Sequence, residues 1–133
     1  MSDMLAEFDK SLGAEASFWH DHNLEVASEL LDQFSSDDWD ALQRGLLARP
    51  PYWQERCAEA IGYEENEDGI DALIALLGSP HLPAAAIAAS ELDNMAVRLP
   101  ATHQPNLLAI QAYLQQQQSS RCDDVQNLLD RLA

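Results

Sequence analysis

The protein has 133 residues, of which 47% are hydrophobic and 7% aromatic. A chain of this length is expected to form one domain and to bury roughly two-thirds of the surface that it exposes when unfolded. Its 23 acidic and 7 basic residues give a formal net charge of −16, which argues against binding to nucleic acid or anionic lipid and favours a basic partner.

The negative charge is concentrated in the first part of the chain. Residues 1–80 contain eighteen acidic and four basic residues, whereas residues 81–133 contain five and three. Solubility alone does not require this asymmetry, so we expect the acidic part to attract a basic partner at long range. The alternative is a solvated acidic surface that binds nothing.

Two features bear on the cellular compartment. The two cysteines, Cys57 and Cys122, are far apart in the sequence, and the acidic N-terminus lacks the basic and apolar regions of a signal peptide. No stretch approaches the length of a membrane span. We therefore expect a cytoplasmic protein with two reduced thiols.

Apolar residues recur at spacings of three and four along most of the chain, which predicts an all-α fold without strands. Ser35 is placed to cap the third helix, with Phe34 and Trp39 forming a hydrophobic staple across its start. The segment from His20 to Asn23 is expected to be a loop. The predicted helices include residues 3–12, 36–48, 51–62, 82–94 and 121–132. The second predicted helix is capped by Asn23 and ends at residue 34, the fifth is capped by Asn66 or Asp68 and ends at residue 77, and the seventh begins at Pro105 or Asn106 and ends at residue 118.

The segment from Trp39 to Leu92 repeats itself. A shift of 31 residues places Trp39 on Ile70 and Cys57 on Ala88. Each copy is a helix, a break that contains proline and a second helix, and a period in this range is typical of stacked antiparallel helical hairpins. The predicted organisation is one helical-repeat domain over residues 1–133, with N-terminal helices in 3–34, repeat units in 36–62 and 67–94, and a capping pair in 105–132.

The second helix of the first unit carries a known pattern. Residues 54–62, Gln-Glu-Arg-Cys-Ala-Glu-Ala-Ile-Gly, resemble the second helix of HEAT-like repeats, and residues 68–77 resemble the matching first helix. The second unit departs from the pattern, because it lacks the arginine, has Pro83 for a polar residue and has Asp93 where the glycine would stand. The resemblance covers residues 36–94 and implies a HEAT-like α-solenoid of about seven or eight helices.

A small, very acidic chain of HEAT-like repeats is similar to the immunity proteins of bacterial polymorphic toxin systems, including contact-dependent growth inhibition. The resemblance rests on size, acidity and repeat type. It implies an inhibitor that binds one cognate toxin domain, often a basic nuclease, as a monomer in a heterodimeric complex. The alternative is a HEAT-like adaptor that docks a peptide or a subunit of a larger complex. An enzyme of the repeat-protein lyase kind is a third candidate and would require a bound cofactor or pigment.

Two patterns that suggest a metal site lack essential ligands. Residues 64–69 have oxygen atoms at alternate positions, as in an EF-hand loop, but the bidentate carboxylate needed at the twelfth position falls on Ala75. His20 and His22 are two residues apart and have no third ligand at a recognisable spacing. We expect neither a metal ion nor a cofactor.

The sequence also gives no support for catalysis. Cys57 lies on an apolar helix face, where a thiol is normally inert, and Asp123 and Asp124 oppose ionisation of Cys122. There is no nucleophile elbow, phosphate loop or paired-cysteine motif. We predict that the protein is not an enzyme.

The predicted binding site is therefore a surface of carboxylates contacted by a basic protein. Tyr52 and Tyr63 stand at its edges as aromatic anchors, whereas Trp39 and Trp53 are expected to lie in the core. The predicted partner-binding residues are Asp37, Asp38, Asp40, Tyr52, Glu55, Glu59, Tyr63, Glu64, Glu65, Glu67, Asp68 and Asp71.

Overall fold

The computed structural model of the protein describes residues 3–133. In that range the chain forms eight α-helices, three short 3-10 turns and no strand, which confirms the all-α prediction. The 3-10 turns are Leu46–Ala48, Glu67–Gly69 and Ala101–His103. The helices are α1 (Asp3–Leu12), α2 (Asp21–Leu31), α3 (Ser36–Gly45), α4 (Pro51–Tyr63), α5 (Ile70–Leu76), α6 (Leu82–Asn94), α7 (Gln104–Gln116) and α8 (Cys122–Asp130).

The start of α2 differs from the prediction. The helix begins at Asp21, so the expected loop from His20 to Asn23 is mostly helical. His20 is the extended residue before the first turn, and its backbone N–H donates to the Asn23 side chain at 3.1 Å. Asn23 therefore supports the cap from inside the helix instead of forming the cap itself.

The start of α3 follows the predicted local chemistry. The Ser35 hydroxyl accepts from the backbone N–H of Asp38 at 3.2 Å, and the Asp38 carboxylate accepts from the backbone N–H of Ser35 at 2.8 Å. Phe34 and Trp39 meet edge-on, with ring centroids 5.0 Å apart. Both the cap and the hydrophobic staple are confirmed, and together they set the direction in which α3 enters the core.

The even-numbered helices form a consecutive series of packing contacts. Helix α4 packs against α2 and α6, and α6 also packs against α8, while α3 contacts both α1 and α5. The contact between α4 and α6 is the most extensive, and α6 supplies alanines that include Ala85, Ala88 and Ala89 at full burial. Small side chains allow the two helix axes to approach closely.

The core contains the aromatic and thiol groups that the apolar pattern assigned to it. Trp39, Trp53, Cys57 and Ile61 are all buried. Phe8 of α1 packs edge-on against Trp53 at 6.0 Å, which joins the first helix to the repeated segment. No helix in residues 3–133 combines the length and the apolar character needed to cross a membrane.

Arg56, the arginine of the 54–62 pattern, is buried, with 9% of its surface exposed. Its guanidinium donates five hydrogen bonds, of 2.7 to 3.4 Å, to four carbonyl oxygens and one hydroxyl in residues 12–17. Its carbon Cζ lies 5.1 Å from the ring centroid of Tyr52 and 5.4 Å from that of Trp19. This one side chain fixes the connection between α1 and α2 against α4.

Candidate functional site

Seven of the predicted acidic residues share two properties. All seven side chains are exposed, and no carboxylate among them forms an ion pair or a hydrogen bond with another residue in the range 3–133. Within the same range the two ion pairs, Arg49 with Asp9 and Arg131 with Asp93, lie elsewhere. We call this set the acidic edge: Asp37, Asp40, Glu64, Glu65, Glu67, Asp68 and Asp71.

Three residues of the acidic edge surround one depression between α3 and α5. Asp40 comes from α3, while Asp68 and Asp71 come from the 3-10 turn and the first turn of α5. The depression has a volume of about 280 Å³, and the partly buried Phe34 and the buried Trp39 are among the residues that line it. We call it the α3–α5 depression; its lining residues are Phe34, Ser36, Trp39, Asp40, Gln43, Asp68 and Asp71.

Two further residues of the acidic edge, Glu65 and Glu67, line a second depression of about 180 Å³ beside the end of α6. Glu65 has a φ of +51°, a left-handed conformation that turns the chain after α4. Ile70 and Met95 give this depression an apolar part. The loop after α4 thus presents carboxylates on two sides, toward α3 and toward α6.

Other predicted binding residues have partners inside the protein. Asp38 is buried in the cap of α3. Glu59 accepts a hydrogen bond of 2.6 Å from the indole N–H of Trp19, and Tyr52 lies over the Arg56 guanidinium. These contacts stabilise the fold, so the binding roles predicted for these three residues are not needed to explain their positions.

Glu55 faces a different part of the surface from the acidic edge. It lines a groove of about 260 Å³ bounded by α4, α6 and α7, whose apolar lining includes Ile87 and Tyr113. Burial raises the pKa of the Glu55 carboxyl above its usual value, and the nearby Glu59 adds to the shift. Tyr63 ends α4 with 44% of its surface exposed.

Glu91 on α6 is a half-buried carboxyl group that the sequence did not single out. Its carboxylate rests against Gly62, where a side chain would collide with it. Burial raises the pKa of Glu91 to about 7, although Arg121 opposes the shift, and carboxylates that include Glu59 and Glu65 add to it. Gly62, the last residue of the 54–62 pattern, leaves the space that the Glu91 carboxylate occupies. This glycine was the one feature of the sequence that could have indicated the position of Glu91.

The residues that the sequence analysis considered for metal binding or catalysis have defined surroundings in the structure. In residues 3–133 no three side chains of His, Cys, Asp or Glu are arranged to hold a metal ion. The ring of His20 stacks on exposed Phe18, with centroids 5.2 Å apart. Burial raises the pKa of the Cys57 thiol far above its usual value, with the Asp9 carboxylate adding to the shift, so the thiol stays protonated.

Comparison of the chain with protein-family models, curated proteins and solved structures gives no match.

Proposed function

We propose that the protein is an immunity protein, which binds a basic toxin domain through the acidic edge and neutralises it. The observation that carries this proposal is the set of seven exposed carboxylates that have no counter-charge in the described residues. A cationic protein surface would supply that counter-charge. Uncompensated carboxylates speed the association of a basic partner and select against acidic ones.

We propose further that the chain is a HEAT-like α-solenoid. The contacts that support this are those of α4 with α2 and α6, and of α3 with α1 and α5, because alternate helices of a solenoid lie side by side. The loop between α4 and α5 then falls at one end of two neighbouring hairpins. Such a rigid frame would hold the carboxylates in place before the partner arrives, which lowers the entropy cost of binding.

A purely structural explanation covers only part of the acidic edge. Asp37 and Asp71 lie in the first turns of α3 and α5, where a negative charge is favoured by the helix dipole. Glu64 and Glu65 follow the C-terminal end of α4, where the dipole disfavours them. Their presence there raises the free energy of the isolated protein, which supports a role in binding.

The test is co-expression with toxin domains encoded beside the gene, scored by rescue of growth. The edge variant reverses four charges (Glu64→Lys, Glu65→Lys, Glu67→Lys and Asp68→Lys). The control variant reverses four exposed acids in the N-terminal segment (Glu7→Lys, Glu15→Lys, Glu25→Lys and Glu29→Lys). The two variants have equal net charge, so they separate the position of the charge from its amount.

Wild-type protein and the control variant are expected to rescue growth against one toxin domain, and the edge variant is expected to fail. At low salt, the association rate constant of the edge variant with that toxin domain should also be lower than that of the wild-type protein by about tenfold or more, because electrostatic steering is lost. Equal rescue by the two variants would contradict the acidic-edge proposal. Absence of rescue against every neighbouring toxin domain would contradict the immunity role.

The groove beside Glu55 favours a second candidate function, that of an adaptor for a peptide or a subunit. Its apolar lining between α4, α6 and α7 suits an inserted hydrophobic side chain, which the acidic edge does not. An adaptor would bind its partner without rescuing growth. Gln117→Trp, which places a large side chain at an exposed position of the groove lining, should then weaken binding, while the edge variant should leave it intact.

A further inference from the structure

We propose that Glu91 and Arg121 form a proton-controlled switch at the groove beside Glu55. While Glu91 is protonated, the Arg121 side chain remains part of the groove lining, as it is in this structure. When Glu91 ionises, the Arg121 guanidinium moves to the carboxylate and forms an ion pair. The switch connects pH to the charge and shape of the groove, and it does not depend on the acidic edge.

Glu91 lies one helical turn beyond the groove. It comes one turn after Ile87, a residue of the groove lining, so the two side chains point to the same side of α6. The carboxyl group of Glu91 packs against Gly62 of α4, where an added Cβ would collide with it. This position is half-buried, and no ion pair within residues 3–133 compensates for the loss of solvent. The carboxyl group is therefore favoured there in its protonated form.

Arg121 brings a donor without an acceptor to the same region. The residue immediately precedes α8 and lines the groove. Its Nη1 is buried and has no hydrogen-bond partner among residues 3–133, which is unfavourable for a charged donor. Among the charged groups that act on Glu91, Arg121 has the largest effect on its pKa, and it opposes the effect of burial. The two side chains thus lie near each other without forming an ion pair in the described part of the chain.

A change of side-chain rotamers is enough to bring the two groups into contact. Both residues are only partly buried, and both side chains have several rotatable bonds. An ion pair gives the buried donor an acceptor and the carboxylate a counter-charge at the same time. Each group thereby gains the partner that it lacks in this structure.

The surroundings of Glu91 set the pH at which the switch operates. The charged groups that act on it come from α4, from the loop after α4 and from the start of α8: Glu59, Glu65, Arg121 and Asp124. Two further helices pack against α6, and each has one ionisable side chain, exposed Asp71 on α5 and partly buried Tyr113 on α7. Burial raises the pKa of Glu91 to about 7, against the effect of Arg121 and with that of the carboxylates, so the switch operates near neutral pH.

Movement of Arg121 changes the groove. The lining contains one acidic residue, Glu55, and one basic residue, Arg121, and its other side chains are uncharged. When Arg121 pairs with Glu91, Glu55 is the remaining acidic or basic residue of the lining. The groove is therefore wider and more negative above pH 7 than below it.

The experiment is an NMR titration of the full chain labelled with 13C and 15N, between about pH 5 and about pH 9. The signals followed are Cδ of Glu91, Cζ of Arg121 and the ring of Tyr113, which lines the groove from α7. We expect all three to move with one midpoint near pH 7. Arg131 is the internal reference, because it already pairs with Asp93 at 3.0 Å, and its Cζ signal should stay constant around that midpoint.

Three variants separate the ion pair from a simple titration of Glu91. Glu91→Gln should abolish the responses of Arg121 and Tyr113 around pH 7. Arg121→Gln should raise the midpoint of Glu91 by about one pH unit, because the counter-charge is lost. Glu65→Gln is the matched control; it removes a neighbouring carboxylate, so it should preserve the coupled response and move its midpoint slightly to lower pH.

An Arg121 signal that stays constant while Glu91 titrates would overturn the switch. So would an Arg121 response that survives in Glu91→Gln, or a Glu91 midpoint that is unchanged in Arg121→Gln. A constant Tyr113 signal would overturn the connection to the groove. Should Glu91→Gln not fold, Arg121→Gln tests the ion pair by itself.

Discussion

At the scale of single residues, Arg56 connects the first two helices to the repeated segment. Its guanidinium is buried close to the rings of Trp19 and Tyr52, and its hydrogen bonds within the described chain go to residues 12–17. A buried charge destabilises a protein unless its donors find acceptors. Here the acceptors are carbonyl groups in the connection between α1 and α2, so the arginine and this connection depend on each other.

We expect Arg56→Lys to lower the free energy of unfolding by about 2–4 kcal/mol, because lysine keeps the charge but leaves several of the carbonyl groups unpaired. Urea denaturation followed by circular dichroism measures the change. Arg44→Lys is the control, since Arg44 is exposed and forms no hydrogen bond or ion pair within residues 3–133. Equal stability of the two variants would show that the Arg56 hydrogen bonds do not support the fold.

Glu91 makes stability depend on pH. Its pKa rises from 4.5 in the unfolded chain to about 7 in the folded protein, so between these values the folded state holds more protons. The contribution of Glu91 to the free energy of unfolding is therefore greatest below pH 4.5 and is lost as the pH rises through 7. Because the carboxyl group is partly solvated, we expect a loss of about 1–2 kcal/mol, less than the full shift implies.

The Glu91→Gln variant does not have this loss. Its free energy of unfolding should therefore exceed that of the wild-type protein by about 1 kcal/mol at pH 8 and equal it at pH 4.5. Urea denaturation at the two pH values measures the difference. Glu67→Gln, which removes an exposed carboxylate, serves as the control. A Glu91→Gln variant that follows the pH profile of wild type would contradict the assignment.

At the scale of elements, the short 3-10 turn before α5 positions much of the acidic edge. Its last residue, Gly69, is buried against Ile61 and Trp39, with a Cβ placed 2.5 Å from Cγ2 of Ile61. The turn therefore packs against the core only because residue 69 has no side chain. The glycine brings Asp68 and Asp71 next to α3, which the 31-residue repeat alone does not specify.

Gly69→Ala should lower the free energy of unfolding by about 1–3 kcal/mol, because the added methyl group overpacks the core. The control is Gly45→Ala at the end of α3, whose backbone conformation is similar and whose Cβ would meet nothing within 4 Å. The control should be neutral or stabilising by up to about 1 kcal/mol. Thermal denaturation of both variants is the measurement, and a smaller loss at Gly69 than at Gly45 would contradict the packing argument.

Local chemistry in the sequence predicted individual elements well. The cap at Ser35 was predicted correctly because it depends on neighbours within four residues, and the bounds of α6 agree because proline and a long apolar run define them. The start of α2 was missed because His20 is an uncommon cap and Asn23 appeared to be the better one.

The candidate site was only partly predictable. The sequence identified the acidic residues, but it did not show that Asp38 is used in a helix cap whereas Asp68 remains exposed. That difference depends on which side chains form hydrogen bonds in the folded protein. The burial of Arg56 and Glu91 depends on contacts between helices that are distant along the chain. Periodicity does not contain that information, since it specifies a helix face and not the element that covers it.

At the scale of the whole molecule, the net charge of −16 opposes folding. The acidic edge places seven of the acidic residues at exposed positions, and none of their carboxylates forms an ion pair within residues 3–133. Repulsion between exposed charges is screened by salt over about 10 Å at 0.1 M ionic strength. The free protein should therefore be more stable in salt than in dilute buffer.

We expect the free energy of unfolding to rise by about 1 kcal/mol between 10 mM and 300 mM NaCl. A variant with Glu64→Gln, Glu65→Gln, Glu67→Gln and Asp68→Asn should be more stable at low salt and respond less to added salt. Urea denaturation at several salt concentrations measures both effects. A wild-type protein that is insensitive to salt would contradict the idea that these carboxylates repel one another.

The carboxylates of the acidic edge form no ion pair or hydrogen bond within residues 3–133, which has a consequence for how such a protein can diverge. Side chains that pair with nothing inside the fold are not constrained by folding, so substitutions there leave the helical frame intact. Recognition can then change by exchanging exposed residues on a conserved framework, without compensating changes in the interior. If the acidic edge binds a basic partner as proposed, gene duplication followed by variation at these seven positions would be enough to produce descendants with new partners.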